Sequence, residues 1–289
     1  MLKRIFALIL AVLLLLSGCN GTKEPLESSE PESKPQESVQ QENTQREDTP
    51  PPAQSELYTY LAENFPATDG STSLIPLDAG IRAEIFGISI EEAQKTVAHS
   101  TTWGSFDNLL KGEADMIFST PISEEQQKAA EEAEIKLEQV PVVREAFVFL
   151  VNAENPVDTL SQQQLKDIYS GKITNWSELG GNDEPITAFQ RNNDSGSQNY
   201  MIDFMGETKL MDAPTELRPG SMGGLVDAVA PNDGAEGSIG YSVYAYAADM
   251  HGGNGNIKFI KVDGVAPTKE TIISGEYPLS SYNLSLIHI

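Results

Sequence analysis

Arg191, Ser195, Gly196 and Ser197 are the residues of this chain best suited to hold a ligand, and the ligand they suit is an oxyanion. An arginine ahead of a Ser-Gly-Ser step brings a permanent positive charge, with a planar fork of donors, to a place where small residues leave the backbone accessible. Asn193, Asp194 and Ser195 are helix-capping types. Gly196 lets a ligand approach the main chain, and Ser197 adds a hydroxyl in the first turn. The surrounding segment leaves a strand (Ile186, Ala188, Phe189) and enters a helix with Tyr200, Met201, Phe204 and Met205 at helical spacing. Free N–H groups at the positive end of such a helix attract anions, phosphate foremost. The same arrangement is also ordinary α/β punctuation, and Arg191 alone could form a surface ion pair, so other segments must be weighed with it.

Three more hydroxyl-bearing helix starts occur. Asp69-Gly70-Ser71-Thr72-Ser73 precedes a helix carrying Leu74, Ile75, Leu77, Ile81, Ile85 and Phe86 inward, with Pro76 tolerated in the first turn. Thr96-Val97-Ala98 reads as a short strand, and Thr101 or Thr102 would cap the helix that follows with Trp103, Phe106, Leu109 and Leu110. Pro219 to Gly224, with Ser221, precedes a third and is a rim candidate. Between them, Asp115 to Phe118 is a buried strand ending at Ser119-Thr120-Pro121, and Ser123 with Gln126 has capping-box spacing. Each motif alone is a common cap.

The elements that must position these groups alternate between strand and helix. VPVVREAFVFLVN (140–152) is the longest β-branched apolar run and predicts a central strand crossing between two halves. Asn155-Pro156 breaks it, and a helix from about Thr159 buries Leu160, Leu165, Ile168 and Tyr169 before ending at Gly171. Gly237 to Tyr244 reads as a return strand, Asn256 to Val262 as another, and Pro267-Thr268 starts a last helix. The tail SSYNLSLIHI has no closing helix, which predicts a misread or truncated end beyond Leu279. Such alternation implies an α/β fold of mostly parallel sheets, with ligands at the strand ends where helices begin.

The amino end is of another kind. Lys3 and Arg4 precede an apolar run from Ile5 to Leu16, then Ser17, Gly18 and Cys19, the order of an export signal with an apolar core short for a membrane span. Cys19 is the only cysteine, so no disulfide framework exists. Leu16-Ser17-Gly18-Cys19 resembles the bacterial lipobox, which implies cleavage after residue 18 and a diacylglycerol on the Cys19 thiol. Loss of Lys3 and Arg4 then moves the formal charge from −24 to about −26. So acidic a chain excludes nucleic acid and an electrostatically held membrane surface, and an anion must be held by short-range, oriented dipoles. Residues 19–55 are Glu, Pro, Ser, Gln and Thr with few apolar groups, which predicts a disordered tether.

GST (70–72), ITNW (173–176), Arg191 with SGS (195–197) and SIGYSVYAYA (238–247) together resemble the periplasmic phosphate-binding proteins of ABC importers, from about Leu57 to Leu279. The resemblance implies a two-lobed type II periplasmic-binding-protein fold with hinge strands. Lobe I would be 56–143, lobe II 144–240, and 241–289 the second part of lobe I. It implies phosphate held by Gly70, Ser71, Thr72, Ser73, Thr101, Thr102 and Thr120 on one side and by Arg191, Ser195, Gly196 and Ser197 on the other. Thr120 stands where the family has a binding aspartate that accepts the phosphate proton, a departure that leaves open another oxyanion or a small organic anion. The implied partners are a permease and an ATPase, with the protein acting as a lipid-anchored monomer on the outer membrane face of a Gram-positive bacterium. A surface adhesion or sensing role is the alternative. No enzyme, cofactor or metal is expected, since His99, His251 and His288 are scattered and no His/Cys cluster occurs.

Overall fold

A computed structural model describes residues 56–231, 236–250 and 255–288; the export signal, Cys19, the tether and His251 lie outside the described residues. By contacts the chain divides into a small unit, 56–65 with Glu84–Gly87, and a large one, Pro66–Ala83 with Ile88–Ile289. In the small unit, helix α1 (Glu56–Glu63) leads to Phe65, whose ring lies 5.1 Å from that of Phe86, and the Tyr58 hydroxyl donates to Glu84 at 3.3 Å.

From there the order is β1 (Thr68–Gly70), a 3-10 turn (Thr72–Leu74), α2 (Ile75–Phe86), α3 (Ile90–Gln94), α4 (Thr101–Lys111), β2 (Met116–Ser119), α5 (Glu124–Glu132) and β3 (Leu137–Asn152). The chain continues through β4 (Thr159–Leu160), α6 (Gln162–Tyr169), β5 (Thr187–Ala188), α7 (Gly196–Met205), α8 (Met222–Val229), β6 (Ser238–Val243), β7 (Ile257–Phe259), β8 (Lys261–Val262), α9 (Lys269–Ser274) and β9 (Ser280–His288).

The α/β class is as expected, with a mixed sheet. Its strand order is β1-β2-β9-β3-β6-β5, with β7 also on β3, while β4 and β8 form a separate pair. The pairs β1/β2, β5/β6 and β4/β8 are parallel, whereas β9 runs antiparallel to β2 and β3, and β3 antiparallel to β6 and β7. Strand β3 carries the architecture. Its residues 137–146 pair with β9, and its residues 147–152 pair with β6 and β7. Glu145 through Asn152 are all buried, as an uninterrupted apolar run requires when both faces of a strand are covered. Around this distal half, Phe147, Phe149, Tyr169, Phe204 and Tyr241 interlock, with Phe149 and Phe204 centroids 5.3 Å apart and Tyr169 and Tyr241 5.7 Å apart. That aromatic core fixes α7 against β6.

Several local expectations are upheld by side-chain geometry: the capping box at Ser123/Gln126 and caps by Ser195, Ser221 and Thr268; the helix expected from about Thr159 begins at Gln162, capped by Ser161. Trp176 of the ITNW motif is buried, and its indole N–H donates to Gly237 O at 2.9 Å, so the motif serves packing. Two expectations are corrected. Thr96-Val97-Ala98 is not a strand; the place beside β2 is taken by the polar Thr68–Gly70. Asn256 to Val262 divides into β7 and β8, which pair with β3 and β4 respectively. The tail beyond Leu279 is β9, inserted between β2 and β3. Within 241–289, expected as a return to the first lobe, only β9 pairs with β2, while β7 joins the distal half of β3.

Where β3 passes from one half to the other, Glu145 is 4% exposed, and its Oε1 accepts from Ala146 N at 2.9 Å and Ala245 N at 3.2 Å. Burial raises its pKa above the ordinary 4.5, outweighing those hydrogen bonds. The folded state therefore keeps this proton to a higher pH than the unfolded chain does. The stability it contributes is full below the unfolded value and is lost as pH rises through the raised folded value. Glu145→Gln retains an oxygen for both N–H groups. It is predicted to melt above the wild type at neutral pH and to show a flatter dependence of Tm on pH upward from the unfolded carboxylate value. An unchanged slope in the variant would mean that this carboxyl does not titrate there.

Candidate functional site

One wall of the site is assembled at the end of β1. The Asp69 carboxylate, 4% exposed, accepts from Gly70 N (2.7 Å) and Ser100 N (2.8 Å) through Oδ1 and from Asn108 Nδ2 (2.7 Å) through Oδ2. It thus clips the start of α4 to the end of β1. Gly70 allows the strand to close on its neighbour, since a Cβ there would lie 2.6 Å from Phe118 O. Ser71 and Thr72 are thereby set beside Thr101 and Thr102. Thr101 holds a φ of 69°, in the left-handed region, which costs a β-branched residue about 1–2 kcal/mol. Helix α4 starts at Thr101 with Ser100 as N-cap; the Ser100 side chain makes no capping bond, while Thr101 Oγ1 accepts from Gly104 N at 3.5 Å.

The facing wall is the start of α7. Ser195 is its N-cap, with the hydroxyl accepting from Gln198 N at 3.3 Å. The amides of Gly196 and Ser197 stand at the positive end of the helix, where no internal acceptor exists for them. Arg191 lies at the end of the preceding strand. Its backbone N–H donates to the Tyr241 hydroxyl at 2.8 Å and to Gln198 Oε1 at 3.2 Å, and Tyr241 in turn donates to Gln198. The guanidinium is 7% exposed; Nε donates to Pro219 O at 3.1 Å and Nη2 to Gly220 O at 3.4 Å, whereas Nη1 is buried without a partner in the protein. Burial lowers the guanidinium's pKa, opposed by Tyr241 and Asp194.

Between the walls is a cleft of about 210 Å³, lined by Ser71, Thr72, Thr101, Thr102, Arg191, Ser195 and Gly196 of the expected set. Such a volume, below that of drug-sized ligand pockets, suits a small ion. Gly70, Ser73, Thr120 and Ser197 do not line it. Ser73 Oγ instead lies 3.1 Å from Ser71 Oγ, and the Thr120 and Ser197 hydroxyls are buried without partners. Thr120 is nevertheless adjacent: a Cβ on Gly196 would lie 2.7 Å from Thr120 Oγ1 and 2.8 Å from Thr102 Oγ1. The rim candidate Ser221 lines the cleft too, as do Asn192, Asp194, Gly220, Met222 and Tyr246. Tyr246 lies within SIGYSVYAYA (238–247), and Asp69 heads the segment before the 3-10 turn; neither residue type marks its position as part of the site. His99 is exposed and does not line the cleft.

The two walls are also bonded beside the cleft. Asn199 Nδ2 on α7 donates to Gln126 Oε1 at 3.0 Å and Pro121 O at 3.4 Å, and the Tyr200 hydroxyl donates to Asn283 Oδ1 on β9 at 3.1 Å.

The PBP superfamily domain family matches residues 67–287. The phosphate-binding protein PstS of Staphylococcus epidermidis is 26% identical over 221 residues, covering 73% of this chain, and the chain spans 65% of that relative's length. A Clostridium perfringens protein assigned as a phosphate ABC transporter substrate-binding protein and solved with bound phosphate has a TM-score of 0.58 at 26% identity, over 76% of this chain and 85% of that one. An ABC-type phosphate transport receptor from Vibrio cholerae gives 0.55 at 26% identity, over 77% and 86%. The family match runs from β1 into β9 and takes in both walls of the cleft, and the chain belongs to the PBP superfamily.

Proposed function

We propose that the protein captures inorganic phosphate in this cleft and delivers it to the permease and ATPase of an ABC importer. The observation that carries the reading is Arg191. Arg191 lines a cleft walled by hydroxyls and a helix start, its Nη1 is buried without a partner in the protein, and an oxyanion in the cleft would supply an acceptor. The bound phosphate in the Clostridium perfringens relative supports this choice of ligand. Two lobes joined through β3, divided near residues 144 and 240, would close on the ion. The reading includes no catalytic step. The mature protein acts as a monomer, exported and held at the outer membrane face by lipid on Cys19, with 19–55 giving it reach.

Thermal shift of the purified protein is expected to rise with phosphate and not with small carboxylates, which lack tetrahedral geometry; phosphoester turnover serves as the enzyme control. Arg191→Ala removes a charge-assisted bond worth about 1.5–3 kcal/mol and is predicted to weaken phosphate binding by more than about tenfold in a protein that still folds. Unchanged affinity by calorimetry would remove the arginine from the site. Gly196→Ala forces a methyl against Thr102 and Thr120. At about 1–3 kcal/mol of overpacking it is predicted to weaken phosphate roughly five- to hundredfold. Wild-type affinity in that variant would show that the walls need not approach so closely to hold the ion.

A further inference from the structure

We infer that the cleft takes tetrahedral oxyanions whether or not they carry a proton, so that sulfate competes with phosphate for it. The inference rests on the reading of the cleft as a phosphate site and concerns which ions that site can tell apart. Its lining offers donors of two kinds. Arg191 and the helix-start amides only donate; Ser71, Thr72, Thr102 and Ser195 can donate to a bare oxygen or, by rotating the hydroxyl proton, accept from a protonated one. Thr120 Oγ1, buried and unpartnered, lies outside the lining but as close to the Gly196 Cβ position as Thr102 Oγ1, so the group behind the wall there is also a hydroxyl of that second kind.

Discrimination between two ions of the same shape requires a group that one satisfies and the other does not. A site built to receive a ligand's O–H rejects an analogue lacking it because its own acceptor is left unpaired, and an ionised carboxylate additionally repels a bare oxyanion. Among the described residues, the one carboxylate lining this cleft is Asp194, which is exposed on the turn before α7 and therefore keeps its hydration. Among the buried groups of the lining, every neutral side-chain oxygen is a hydroxyl that serves either ion. With one guanidinium as the only fixed positive charge that the described residues bring to the lining, the remaining negative charge of phosphate or sulfate is met by the same dipoles.

The test is calorimetric titration of the purified protein with phosphate, with sulfate, and with phosphate in the presence of sulfate. The expected result is that sulfate displaces phosphate from a single site with a Kd within about tenfold of that for phosphate. In Thr120→Asp, which sets a buried carboxylate against Gly196, sulfate binding is expected to fall by more than about a hundredfold while phosphate binding is retained. Phosphate binding that a hundredfold excess of sulfate leaves untouched would overturn the inference and leave the phosphate reading standing. A cleft that binds neither ion would overturn both. The competition on the wild-type chain decides the matter even if Thr120→Asp does not fold.

Discussion

A guanidinium cannot be withdrawn from water unless something replaces its hydration. At Arg191 part of the replacement is built in: the carbonyls of Pro219 and Gly220 receive Nε and Nη2. Their position depends on the turn that leads into α8, and the backbone of Arg191 itself is pinned by Tyr241 from β6. Tyr241 in turn belongs to the aromatic core around the distal half of β3. The apolar run that folds the distal half thus also holds the charge, and leaves Nη1 buried without a partner in the protein. An acidic chain that is to hold an anion needs such an arrangement, because its long-range field would repel the ion and only short-range dipoles could attract it.

The second requirement is close approach. Gly196 admits the hydroxyls of Thr102 and Thr120 to a distance that a methyl would forbid. Asp69 makes this possible from the other wall by locking the start of α4 to the end of β1, so that the hydroxyls are presented on a fixed frame. Asn199, bonded to Gln126 and Pro121, fastens the same approach one turn further along α7. Gln126 also receives Ser123 N, so the residue that completes the α5 capping box is the residue that meets the opposing wall. Shaping the cleft and holding its walls together are therefore one packing problem.

What could be read from the residues was whatever local chemistry determines. Caps at Ser123, Ser195, Ser221 and Thr268 follow from side chains bonding their own next turn, and β3 from an apolar run too long for a half-exposed strand. Arg191 and the Ser195 turn were legible for the same reason. Tertiary pairing was not. Thr68–Gly70 is polar and short, and is a strand because β2 offers it an edge; Thr96 to Ala98 has better β-propensity and no edge to join. In β9 the buried residues include Asn283 and Ser285, so its apolar pattern is masked, and pairing on both sides makes it a central strand. The separation of Thr120 from the cleft surface, and its contact with Gly196 nonetheless, depends on two segments far apart in the chain.

The most direct measurement of the central claim is a crystal structure of the protein grown with phosphate. Tetrahedral density within hydrogen-bond distance of Arg191 Nη1, the Gly196 amide and the Thr102 hydroxyl is the predicted result. Phosphate density elsewhere, with Arg191 Nη1 bonded to protein or water and the cleft holding no ion at saturating phosphate, would contradict it.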